Sequence, residues 1–178
     1  MKIKGRNLIY IIEGIKDVLN AKEIYKELYS KYRDILPDEF KKIKEDDVFP
    51  FEIYLSLLEI IGFKKGKEFV KELGKKQGRE FISTELRVAK KMDIDWVLNK
   101  AILIGESFYI GGKYTVSKIS ENTVRIKIER FEEFNEFVEE EIKGFIEGVF
   151  EEIGMKIEIE TIFSPVKNFP FLEFEIKW

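Results

Sequence analysis

Apolar residues recur at intervals of three and four through residues 1–110, and at intervals of two through most of the remaining chain. From Gly5 to Leu19 the positions Leu8, Ile11, Ile12, Ile15, Val18 and Leu19 form one helical stripe that Asn20 closes. A second helix is expected over Ala21 to Leu36, with Ile24, Tyr25, Leu28, Tyr32 and Ile35 on one side and Pro37 as its stop. A third occupies about Pro50 to Ile61, since proline suits a first turn and Gly62 ends the run. "KGKEFVKELGKKQGREFISTELRVAKKM" predicts one long or broken helix whose weak points are Gly74 and Gly78, and "DIDWVLNKAILIGESFYIGG" predicts another, capped by Asp93 or Asp95 and closed by the Gly111–Gly112 pair.

Beyond that pair the period changes. Val124, Ile126 and Ile128 alternate with Arg125, Lys127 and Glu129, and Ile157 and Ile159 alternate with Lys156, Glu158 and Glu160. The last strand, "FLEFEIKW", sets Leu172, Phe174, Ile176 and Trp178 against Glu173, Glu175 and Lys177. Alternation with one charged face means an antiparallel sheet that is wet on one side. Tyr114 to Ile119 joins the first of these strands through the turn "SEN". Asn135 to Ile153 returns to helical spacing through Phe137, Val138, Ile142, Phe145, Ile146, Val149 and Phe150, which suits a helix covering the apolar face.

The reading is an α+β fold, with an N-terminal helical layer (1–110) packed on a twisted antiparallel sheet of about four strands with a covering helix (111–178), as one domain over 1–178. A chain of this length buries roughly 70% of its unfolded surface and folds without a disulfide or metal staple. Trp178, sharing a face with Leu172, Phe174 and Ile176, is expected to anchor the sheet to Phe145, Val149 and Phe150.

Composition narrows the chemistry. There is no Cys and no His, so thiolate nucleophiles, imidazole bases and the two commonest ligands of zinc and haem are missing together. The 31 Lys and Arg against 34 Asp and Glu are interspersed, leaving no basic stripe for nucleic acid. Charged residues reach 37%, mostly Lys and Glu with Gln77 as the single glutamine, which points to a thermophilic cytoplasmic source. No apolar run approaches the roughly 18 uncharged residues of a membrane span, and the charges at Glu13, Lys16 and Asp17 argue against a signal peptide.

The candidate motifs mostly have structural readings. "GESFY" lacks the second glycine of a nucleophile elbow, and no histidine exists to activate Ser107. Asp93 and Asp95 read as helix caps before they read as cation ligands, and Glu139, Glu140 and Glu141 read as a solvated helix face. "GKKQGRE" gathers three cations and two glycines that could cup an anion, but its spacing is neither a P-loop nor a dinucleotide fingerprint. Gly144 and Gly148, one turn apart, suit close backbone packing. No catalytic or metal-binding set emerges.

Four stretches, "FPFEIYLSLLEIIG", "LGKKQGRE", "IKGFIEGVFEEIGMKIEIE" and "FLEFEIKW", together resemble the vinyl-reductase-like domains and their relatives, the haem-nitric-oxide-binding-like domains and the TRAPP vesicle-transport subunits. The resemblance covers much of the chain from Phe49 onward and implies a helical layer on an antiparallel sheet, binding of a small or lipid-like molecule, and dimerisation through helices. The sequence departs from it where cofactors would attach: without histidine there is no proximal haem ligand, and without cysteine no zinc or acylation site.

The expected function is therefore non-enzymatic binding of a small apolar or amphipathic ligand, as sensor or carrier, with no cofactor. The aromatic residues at the junction of helices and sheet, Phe49, Tyr54, Phe81, Trp96, Phe108 and Tyr114, are the expected wall, and Arg79 the polar anchor. A dimeric interaction module with a solid interior is the alternative, and an enzyme working with carboxylates alone is a third. A homodimer is expected in either of the first two cases, from apolar residues such as Ile9, Tyr10, Tyr25 and Tyr29 on the N-terminal helices.

Overall fold

The computed structural model describes residues 1–85, 94–130 and 133–178. Strand β1 (Lys2–Lys4) leads directly into α1 (Gly5–Ile15) and α2 (Ala21–Tyr32), and β2 (Val48–Pro50) leads into α3 (Phe51–Lys65). Then come α4 (Lys67–Glu85), α5 (Ile94–Phe108), β3 (Tyr109–Ile110), the hairpin β4 (Lys113–Ser120) and β5 (Thr123–Glu129), α6 (Glu136–Glu152), β6 (Glu158–Phe163) and β7 (Phe171–Lys177). The α+β architecture is the one periodicity predicts.

The four-stranded sheet has the order β4-β5-β7-β6 with every neighbour antiparallel. Its alternation sends Val124, Leu172, Phe174 and Ile176 fully inward, while Arg125 bridges Glu173 and Glu175 on the outer face. Trp178 lies one residue past β7, where its N–H donates to the Asn122 carbonyl. Its ring is only half-buried against the core. It closes the end of the sheet, half-buried where the alternation predicts an inward-facing ring.

A second sheet, β2-β1-β3, has no counterpart in the periodicity of the sequence. Its strands are two or three residues long, too short to show alternation. It ties the start of the chain to the end of α5, pairing Ile3 with both Phe49 and Tyr109. The helix expected to run to the Gly111–Gly112 pair therefore stops at Phe108. Gly111, with φ of 91°, turns the chain from β3 into the hairpin.

Helix α3 is apolar on nearly all sides and is buried accordingly, as the central helix of the N-terminal part. Gly66, in a backbone conformation that side chains avoid, separates it from α4. Tyr25, expected to be surplus apolar surface, is buried with its hydroxyl on the Pro37 carbonyl, and Ile9, Tyr10 and Tyr29 are partly buried against the same core. The large apolar side chains that do stay exposed include Phe63 and Leu103.

Helices α4 and α6 form the tightest contact of the molecule. A Cβ on Gly74 would lie 2.1 Å from the Glu141 carbonyl oxygen, one on Gly78 2.2 Å from that of Phe145, one on Gly144 1.9 Å from that of Lys71, and one on Gly148 2.0 Å from that of Lys75. The contacts advance in the same direction along both helices, so the pair is parallel and meets backbone to backbone. The glycines that read as weak points of a helix are one half of this seam, and Gly144 and Gly148 are the other. Lys71 with Glu147, and Lys75 and Arg79 with Glu151, bridge the two helices along its outer rim.

Candidate functional site

Beside the seam, α6 stands away from α5 and the hairpin and leaves a void of about 80 Å³. Ile104 and Phe108 come from α5, Tyr114 from β4, Ile126 and Ile128 from β5, and Ile142, Phe145, Ile146 and Val149 from α6. The strand residues reach it because period two puts Ile126 and Ile128 on the inner face; the α6 residues reach it because they flank the glycines around the helix. The Phe108 ring meets those of Phe81 and Phe145 at 5.1 Å each, which fixes one wall.

The polar end of this void is built from residues that the sequence pattern does not single out. Glu141, one of the three glutamates read as a solvated face, is 1% exposed. The reason is the helical turn: Glu141 lies four residues from both Phe137 and Phe145, on the apolar side of α6, whereas Glu140 does not. That spacing is the available signal. The Tyr109 hydroxyl, delivered by β3, donates to Glu141 Oε2 at 2.9 Å. Tyr54 of α3 packs edge-on to Tyr109, and its buried hydroxyl feels the same carboxylate without completing a well-formed hydrogen bond.

Burial pushes the Glu141 carboxyl up from 4.5 to about 7, and the two tyrosines only partly oppose this. Tyr54 and Tyr109 are themselves driven well above the usual phenol range, by burial first and by the Glu141 charge second. Gln77 of α4, also on the lining, is 4% exposed, and its side-chain oxygen has no hydrogen-bond partner among the described residues. The Tyr114 hydroxyl is likewise buried and unpartnered, its ring lying over Gly105 and Gly112.

Of the residues singled out in the sequence, Phe108 and Tyr114 stand on the void, and Phe81 and Tyr54 stand directly behind its wall. Phe49 is elsewhere, on β2 at the edge of a shallow surface depression with Leu36 and Pro37. Arg79 points to the rim of the seam, where it holds Glu151 at 2.9 Å. Trp96 lies on α5, and its side chain is outside the described residues, as are Asp93 and the side chain of Asp95. Among the described residues no cluster of acidic side chains fits a metal ion, and no helix is long and apolar enough to cross a membrane.

No protein-family model and no curated protein matches the sequence. Solved structures do match. An H-NOX protein from T. Tengcongensis aligns over 98% of this chain and 96% of its own at a TM-score of 0.71 and 14% identity. One from K. algicida, in the Fe(II) unliganded state, covers 98% and 95% at a TM-score of 0.69 and 11% identity. The fold is that of the H-NOX proteins. A third, from S. oneidensis in the Fe(II)NO ligation state, covers 98% of both chains at a TM-score of 0.67 and 14% identity. At such identities the likeness is one of fold, and it bears out the resemblance found in the sequence.

The H-NOX structures include studies of haem distortion, so the cavity must be tested against that group. The residues do not fit it. No imidazole or thiolate exists anywhere in the chain to serve as an axial ligand. Of the phenol oxygens on the lining, Tyr109 is committed to Glu141, and Tyr114 alone has no partner among the described residues. The void of about 80 Å³ is also smaller than the roughly 150 Å³ that holds a single benzene ring in an engineered core, and a porphyrin is several times larger.

Proposed function

We propose that this H-NOX-fold chain is a non-enzymatic binding domain, a sensor or carrier, that holds a small apolar or amphipathic molecule in the cavity between α5, α6 and the hairpin. The observation that carries this reading is the combination of an apolar void with a single buried polar end, the pattern of small-molecule sites. Gln77 Oε1 and the Tyr114 hydroxyl, both on the lining, have no partner among the described residues, and each costs stability unless something satisfies it. We assign Phe108 and Tyr114 to the wall and Tyr54 and Phe81 to the layer behind it.

Xenon, which enters dry apolar cavities, is the neutral probe. With 13C-labelled methyl groups, xenon pressure should shift Ile126, Ile142 and Ile146 and leave Ile24 and Ile53 in place. Unmoved methyls at the cavity overturn the reading. Native mass spectrometry of the purified protein is the complementary measurement, with a retained mass expected. The second reading, a homodimeric interaction module, draws on the exposed Phe63 and Leu103, and light scattering tests it directly.

A further inference from the structure

We propose that the ligand of this cavity bears a protonated amine, seated between the Glu141 carboxylate, the Gln77 side-chain oxygen and the aromatic rings of Phe108, Phe145 and Tyr114. The inference rests on the cavity being a ligand site and adds the chemistry of what enters it. Its first support is the sign of the wall. Among the described residues Glu141 is the one acid on the lining, and no lysine or arginine stands there. An anionic ligand would place like charges together in a site with little water to separate them.

The second support is the balance of donors and acceptors. Tyr109 gives its hydroxyl proton to Glu141, which leaves only lone pairs on its oxygen. Gln77 offers a buried acceptor without a partner. An ammonium group is donor only, with three protons, and matches a site rich in acceptors. The third support is the rings: the aromatic faces that line the void attract cations, and an acid beside aromatic walls is the combination that retains alkylammonium groups.

Among the described residues, the groups around Glu141 leave its charge uncompensated. Tyr54 from α3 and Tyr109 from β3 are neutral phenols, and burial dominates over both in setting its ionisation. The nearest cations of α4 are engaged on the other side of the seam, Lys71 with Glu147, and Lys75 and Arg79 with Glu151. A ligand cation would therefore supply the missing partner, and binding and ionisation of Glu141 would reinforce each other. The size of the void restricts the amine to about three heavy atoms, an ethylammonium-sized group, judged against the roughly 150 Å³ that accepts the six carbons of benzene.

Three two-carbon probes separate charge from shape: ethylamine, ethanol and acetate, titrated into the full chain at pH 6 and pH 8 and followed on the cavity methyls. Ethylamine should bind at least tenfold more tightly than ethanol at pH 8, and acetate most weakly. The amine, charged throughout like a lysine side chain, should gain up to about tenfold in affinity between pH 6 and pH 8 as Glu141 ionises, while ethanol does not. Glu141→Gln should remove the amine's advantage over ethanol. Equal affinity for amine and alcohol in the wild type at pH 8, with xenon still bound, overturns the amine and leaves the cavity standing. Undiminished amine preference in Glu141→Gln overturns it too. The wild-type pH pair decides the matter even if the variant does not fold.

Discussion

Helix α6 meets two kinds of neighbour. Along Gly144 and Gly148 nothing separates its backbone from that of α4, whereas along Ile142, Phe145, Ile146 and Val149 it faces a void. Glu141 stands at the border: its carbonyl is what Gly74 presses against, and its carboxylate closes the polar end of the cavity. Gln77 occupies the matching border on α4, between Gly74 and Gly78. The difference shows how a small domain keeps an opening in its core: the close seam holds the two helices at fixed spacing, so the adjoining side chains need not collapse to fill the gap.

The largest effect should come from the seam. In Gly148→Ala the new methyl meets backbone that cannot rotate away, and the helices must part. The expected loss is about 3 kcal/mol, or roughly 6–12 °C in melting temperature. Ile146→Phe, which grows into the void, should cost about 1 kcal/mol or less and displace xenon. Thermal melts that rank the two the other way would break the comparison.

Next is the border residue. The Glu141 carboxyl is raised in the folded chain, so the folded state binds more protons than the unfolded one between pH 4.5 and about 7. Its contribution to stability is therefore full below 4.5 and falls as pH rises through 7. Relative to wild type, Glu141→Gln should gain on the order of 2–3 kcal/mol between pH 4.5 and pH 8, the difference of about 2.5 in pKa at 1.36 kcal/mol each being an upper bound. Denaturant midpoints at the two pH values measure it, and parallel curves for variant and wild type would contradict the burial of that charge.

Smaller still is Trp178→Ala. A fully buried tryptophan would cost roughly 3–5 kcal/mol, but this half-buried ring at the end of β7 should cost about 1–2. Xenon binding should be unaffected, since the ring is not part of the lining. Arg79→Ala should do least, under about 1 kcal/mol, because the ion pair is well exposed and Lys75 still holds Glu151. A loss of ligand retention in that variant would restore Arg79 as an anchor.

How much of the molecule is legible in the sequence depends on the range of each signal. The helices and the four-stranded sheet have long, regular periods, and Phe108 and Tyr114 can be placed near the junction because they flank the change of period. The small sheet escapes because Lys2–Lys4, Val48–Pro50 and Tyr109–Ile110 are too short to show one. The seam escapes by half: each glycine pair is visible alone, but only tertiary structure reveals that they face each other. Glu141 is hidden by its neighbours, since a run of three glutamates looks solvated unless each is placed on the helix separately. Arg79 is a cation beside the glycines, which invites an anion, and among the described residues the anion it meets is Glu151.

The void has a mechanical consequence. Unfolding fills internal space with solvent, so a chain that keeps about 80 Å³ open occupies less volume when unfolded by an amount on the order of tens of millilitres per mole. Hydrostatic pressure works on that difference. Compression therefore bears most on the α6 side that faces the hairpin, and a molecule lodged there removes the volume on which pressure acts.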